Sequence, residues 1–280
     1  MKRKIVVDSS ASLTRLPGMD YAQVPLSINA GDHVFVDNES LDVGQMLDVL
    51  RSYKGRIGTA CPAPADWSEA FGDADEVFCV SITSTLSGSY NSAQIAAAEY
   101  MENHPSRRVM VVDSLSTGPE MTLIAERIRQ LCDQECPFDV IEREISAYKA
   151  RTHLLFCLRS LHNLSANGRV SPAVAALIGM LGIRLVGHAS EQGDLSPTVK
   201  ARGDRKALAA IVDYFVTRGF DGGRAIIDHC RNPEMAEAVA AAVSAKWPSA
   251  DIRIREARGL CSYYAEEGGL MVGFEGREGK

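Results

Sequence analysis

Residues 76–93 read EVFCVSITSTLSGSYNSA. The first third is a β-branched and aromatic run of strand character, and from Ser89 to Tyr100 small and apolar residues recur with a helical period. Residues 81–93 carry seven serine and threonine side chains, with Ser87 and Gly88 where the strand gives way to the helix. A helix N-terminus presents N–H groups with no intrahelical acceptor and a partial positive charge, so a hydroxyl-rich strand-to-helix junction suits an anion.

The same alternation extends outward. KIVVD (4–8), AQVPLSI (22–28) and RVMVVD (108–113) are strand-like, and helical patterns run from Val43 to Tyr53 and from Ala65 to Phe71. Strands separated by helices need crossover connections, which predicts a largely parallel sheet flanked by helices. Two strands end alike, VVDSSAS (6–12) and VVDSLST (111–117), and both bring hydroxyls to a sheet edge. Two further helices, over 119–132 and 138–150, complete this half.

Beyond them NLSANGRVSP (163–172) concentrates turn and cap residues, with Ser171 and Pro172 opening a helix over PAVAALIGML. A hairpin turning at Gly193 and Asp194 follows, then a helix over 204–218, a strand over 224–229, a helix over 233–246, a strand over 251–255 and an apolar run over 270–274. Hairpin and crossover connections together predict a smaller mixed-sheet α/β domain. The expected division is 1–160 and 161–280, with a ligand between the two.

With 280 residues, 46% of them hydrophobic, the chain can fill substantial cores. A formal charge of −6 argues against nucleic acid or an anionic membrane as the main partner. The apolar run in MKRKIVVDSS is too short for a secretory leader, and no run is long enough to span a bilayer. Seven cysteines, at 61, 79, 132, 136, 157, 230 and 261, lack the even spacing of a disulfide scaffold, so a reduced, cytoplasmic protein is expected. Neither a G-x-x-x-x-G-K nor a G-x-G-x-x-G pattern occurs, and no second pair gives Cys132 and Cys136 a ligand set, so neither cofactor nor metal is expected.

Ser87 admits three readings: a helix cap, a nucleophile on a strand-to-helix elbow, or an anion donor alongside the Gly88 backbone. The nucleophile would make the protein a serine hydrolase acting on esters or thioesters, with His162, His188 or His229 as base, although Thr85 and Ser89 stand where the elbow signature has glycines. A second hydroxyl centre lies in RIGTACPAPADW (56–67), where Thr59 precedes Cys61 and Pro62 in an expected loop. In the second half VKARGDR supplies Lys200, Arg202 and Arg205, a basic turn that can neutralise an anion across the domain boundary.

Taken in order, these motifs resemble the DegV family over nearly the whole chain. The resemblance rests on Asp8-Ser9, Val24-Pro25-Leu26, Thr59 to Pro62, Leu86 to Tyr90, Asp113-Ser114, Asn167-Gly168-Arg169, and Lys200 with Arg202. It implies a two-domain α/β protein, not itself an enzyme, that holds a long-chain fatty acid between its domains. It also implies a carrier that presents this acid to a separate fatty acid kinase, which makes acyl phosphate for phospholipid synthesis. On the same resemblance Thr59, Ser87 and the Gly88 N–H would bind the carboxylate, with Arg202 close by. AALIGMLGIRLV (175–186) and GGLMVGF (268–274) would line the tail tunnel. The chain departs from the family pattern at Ala60, where many members carry a hydroxyl, and at YYAEEGGLMVGF, where Tyr263 and Tyr264 stand in place of a histidine-bearing segment.

Overall fold

The computed structural model describes residues 1–178, 182–277 and 279. Its first half is built on β1 (Arg3–Asp8), β2 (Asp20–Val24), β6 (Glu76–Ser81) and β7 (Arg108–Asp113), in the order β2-β1-β6-β7 and all parallel. Side chains alternate across a strand. Val6, Val77 and Cys79 accordingly face α2 (Pro64–Phe71) and α3 (Ser89–Asn103), against Trp67, Phe71, Ala93 and Ala97. Ile5, Val7, Phe78 and Val80 face the other way, onto α4 (Pro119–Asp133) and α5 (Phe138–Lys149).

The expected strand over 22–28 is two strands. At Pro25 the chain leaves the parallel sheet, and Leu26 N donates to Ser9 Oγ at 3.0 Å instead of to a ladder partner. It then forms β3 (Ser27–Ala30), which with β4 (His33–Val36) and β5 (Ile57–Ala60) makes a three-stranded antiparallel sheet over α1 (Val43–Ser52). Thr59 therefore sits within β5, opposite Ile28, and not in a loop of the parallel sheet.

The second sheet has six strands: β8 (Thr152–Leu158), β9 (Ile183–Ala189), β10 (Leu195–Arg202), β11 (Arg224–His229), β12 (Asp251–Glu256) and β13 (Leu270–Glu275), in the order β10-β9-β8-β13-β11-β12. Every pair but β11–β12 is antiparallel. β8, THLLFCL, is buried along its whole length, so it shows no alternation of polarity to read. Leu155 and Cys157 face α8 (Asp204–Thr217) and α9 (Pro233–Lys246), while Leu154, Phe156 and Leu158 face the first half. Because β8 pairs with β9 and β13, we propose a division between the two units at 150–151, earlier than residue 160.

Helix α4 is wedged between the two large sheets. Gly273 lets its first turn lie directly on β13, since a Cβ there would sit 2.5 Å from Glu120 N. Glu126 further along α4 accepts from Arg253 at 2.6 Å and Arg224 at 3.3 Å, tying the helix to β12 and β11. The short α6 (His162–Ala166), α7 (Pro172–Ala175) and α10 (Gly259–Ala265) cover the rest of that face. The helix expected over 172–181 runs as α7 and a 3-10 turn to Ile178, and its remainder lies outside the described residues.

Candidate functional site

The hydroxyl-rich junction is organised from below by Asp8 at the end of β1. This carboxylate is fully buried and accepts from Ile82 N at 2.9 Å, Ser89 Oγ at 2.7 Å, Ser10 N at 3.2 Å and the Ser10 hydroxyl. Burial pushes its pKa above the ordinary value, against the pull of those donors. Asp8 thus joins β1 to the first helical residue of α3, across β6.

Five of the seven hydroxyls sort by what they touch. Ser81 and Ser89 bond inward, to Val112 O and Asp8. Thr83 and Thr85 meet each other at 3.1 Å, and Thr85 Oγ1 donates to Gly193 O at 3.0 Å at the tip of the β9–β10 hairpin. Ser87 accepts from Ser89 N at 3.3 Å and lines a cavity. Gly88, the N-cap residue of α3, lines it too, and a Cβ there would stand 3.2 Å from Cys61 Sγ.

That cavity has a volume of about 300 Å³ and lies between the junction loops and the inner face of β8. One wall holds Thr59, Ala60, Cys61, Ser87 and Gly88, with the exposed Ala60, Cys61 and Gly88 marking the mouth. The other walls are apolar: Leu154, Phe156 and Leu158 of β8, Met271 of β13, Leu164 of α6, and Leu260 and Ala265 of α10, with Leu26, Ile82 and Leu86 from the first half. A mostly apolar lining with a few convergent polar groups is the usual make-up of a small-molecule site.

Thr59 Oγ1 lies 2.7 Å from the Tyr264 hydroxyl, which joins β5 to α10 at the polar end. Burial is the main cause that pushes the Tyr264 phenol above its ordinary pKa, so it stays protonated at neutral pH. Tyr263, whose ring is tilted against that of Tyr264, instead turns to Asn167 Nδ2 at 2.9 Å and lines a separate cleft. The N-terminus of α10 is held by Asp37, whose buried carboxylate accepts from Gly259 N and Leu260 N at 2.8 and 2.9 Å.

Thr59, Ser87 and Gly88 are thus brought together; Arg202 is not. It shares the cavity-facing side of its sheet, being paired with Ile183, but is exposed seven residues along β10 from Leu195, the lining residue of that strand. Across the sheet it lies two strands and two residues from Leu158, a lining residue joined through Leu185 to Lys200, which on strand spacings is on the order of 12 Å. Among the described residues, the cation lining the cavity is Arg169, whose Nε donates to Leu86 O at 3.2 Å and whose guanidinium also bonds Asn167 O. Its signal was the Asn-Gly-Arg turn: Gly168 takes a positive φ of 73° and the chain doubles back toward the junction. Of the two stretches expected to line a tail tunnel, only Met271 lines the cavity among the described residues.

Comparison with known proteins places the whole chain in a family. The sequence pattern described as "Uncharacterised protein, DegV family" matches residues 2–276. A DegV domain-containing protein of Streptococcus pneumoniae is 42% identical over 279 residues, covering 98% of this chain and 99% of the relative. The fatty acid kinase (Fak) B3 protein of Streptococcus pneumoniae, loaded with linoleic acid, superposes with a TM-score of 0.96 at 42% identity, covering 98% of this chain and 99% of the other. A DegV family protein from Eubacterium eligens, loaded with heptadecanoic acid, also gives 0.96 at 42% identity, covering 98% and 100%. With a family pattern spanning both sheets and relatives matching end to end, this chain belongs to the DegV family.

Proposed function

We propose that the protein binds one long-chain fatty acid in the cavity, carboxylate at the mouth and tail between the two large sheets. The observation that carries this reading is a single cavity with hydroxyls at one wall and aliphatic side chains at the others. Thr59, Ser87 and the Gly88 N–H supply donors, and Arg169 supplies positive charge. A hydrogen bond to a charged group contributes about 1.5–3 kcal/mol net. Each buried CH₂ adds about 0.8 kcal/mol, so the tail provides most of the affinity. The relatives that carry linoleic and heptadecanoic acid support this ligand class.

In the same reading the exposed mouth at Cys61 and Gly88 offers the carboxylate to a separate fatty acid kinase, in the cytoplasm, and the protein itself performs no catalysis. The seven thiols are free, and among the described residues no helix is long and apolar enough to cross a membrane. A serine hydrolase built on Ser87 finds no observation in its favour. Among the described residues no histidine lines the cavity: His188 Nδ1 bonds Thr198 Oγ1, His229 Nδ1 accepts from Asn232 N, and His162 lines other clefts.

Native mass spectrometry of the purified protein tests the reading. A bound mass matching one long-chain fatty acid is expected, lost on delipidation and restored by adding the acid. A delipidated protein that takes up no acid, or one that hydrolyses p-nitrophenyl esters until Ser87 is replaced by alanine, overturns it.

A further inference from the structure

Phe156 is the one phenylalanine among the described residues lining the cavity, and it lies directly opposite Gly187 in the β8–β9 ladder. Directly opposed residues of an antiparallel pair project from the same face. A Cβ at Gly187 would stand 2.4 Å from Phe156 Cζ and 2.6 Å from Cε2, so the far edge of the ring covers the Gly187 backbone. The ring therefore leans sideways over β9 instead of standing off the sheet into the lumen, as a side chain normally does. Its neighbour on the same face, Leu158, is opposed by Leu185 and has no such recess.

We propose that the Phe156–Gly187 pair sets the width of the acyl tunnel and so decides how bulky a tail the protein admits. The inference rests on the fatty acid reading above. In a cavity of about 300 Å³, near the lower bound of small-molecule sites, a ring folded into the wall is a large share of the free cross-section. Met271, opposite Phe156 on the other neighbouring strand, is unbranched and adapts to a change in width without setting it. A side chain at position 187 would force the ring upright and narrow the lumen. A smaller side chain at 156 would leave the recess to the ligand.

The test compares octadecanoic acid with 10-methyloctadecanoic acid, which share length and head group and differ by one mid-chain methyl. One methyl group in an apolar site changes relative affinity by roughly tenfold or more. In delipidated Phe156→Leu the affinity ratio should move about tenfold toward the branched acid, and in Phe156→Trp by a similar factor toward the straight one. Gly187→Ala should follow Phe156→Trp. Because its Cβ would also meet Ser196 O at 2.5 Å, circular dichroism must first show it folded. Ratios within twofold of wild type in both Phe156 variants, with octadecanoic acid still bound, overturn the width proposal and leave the fatty acid reading intact. Failure of the wild-type protein to bind either acid overturns both.

Discussion

The two ends of the cavity come from different kinds of sequence. The polar end has a local nucleus: Ser87 and Gly88 lie at one strand-to-helix junction, and the Asp8 beneath them closes a strand of the same sheet. The apolar end is assembled from two stretches widely separated in the chain, β8 with α6 and α10 with β13, each contributing one face. A head group can thus be recognised by a motif, whereas the tail's surroundings exist only once two sheets have packed. The largest effect we expect tests the local half. Asp8→Ala leaves Ile82 N, Ser10 N and Ser89 Oγ without their acceptor, so stability should fall by about 3 kcal/mol or more in urea denaturation, and binding should be lost with the junction. Unchanged stability would mean that the junction holds its shape without β1.

This difference also explains what could be read from the residues alone. The parallel half was legible because its strands alternate with amphipathic helices, and ligands of such sheets gather at the loops beyond the strand ends. Ser87 and Gly88 followed from that rule. Thr59 reaches the cavity wall for another reason: Pro25 diverts the chain into a small antiparallel sheet that carries β5 there. β8 and α10 were not legible. β8 is apolar on both faces, and α10 is seven residues long, with its first N–H groups held by Asp37, more than two hundred positions away. Tyr264 meets Thr59, and Arg169 meets the junction at Leu86, through long-range packing that no local pattern encodes.

Leu154 sharpens the comparison from the distant side. Replacing it with alanine removes about three carbons of tail contact, worth roughly 2.5 kcal/mol or some seventyfold in affinity for a long acid. A short acid whose tail does not reach Leu154 should be far less affected. Isothermal titration with acids of graded length separates the cases, and an equal loss for every length would show that the residue acts through folding instead.

The hydroxyl pair comes next. Ser87→Ala and Thr59→Val should each weaken binding by about 2 kcal/mol, roughly thirtyfold, with melting temperatures nearly unchanged. The double variant should lose less than the sum, because two donors on one anion are coupled. Additive losses would place the two hydroxyls on separate groups. Tyr264→Phe should cost less, about 1 kcal/mol, since it removes only the neutral partner of Thr59. As burial raises the Tyr264 pKa, its phenol keeps the proton between pH 6 and 9 and this contribution should be flat across that range. A wild-type affinity that fell through that range, with Tyr264→Phe showing no fall, would mean the phenol titrates there.

The smallest effect is expected at Arg202, and it separates proximity in sequence pattern from proximity in space. Arg169 and Arg202 both follow glycine-containing or hairpin turns of the second half, and both are cations on the cavity side of the molecule. Arg169 is half-buried, with its guanidinium fixed on Leu86 O and Asn167 O, so its charge acts across little water and strongly. Arg202 is exposed and does not line the cavity, on the order of 12 Å across the sheet from Leu158 in its wall, beyond the roughly 8 Å over which surface charge is felt at physiological ionic strength. Arg169→Gln should therefore weaken fatty acid binding, while Arg202→Ala should leave it within twofold at 0.15 M salt. If Arg202→Ala instead weakens binding tenfold, and the loss persists in 0.5 M salt, β10 must move to bring that guanidinium to the carboxylate, and the polar end would then be as non-local as the apolar one.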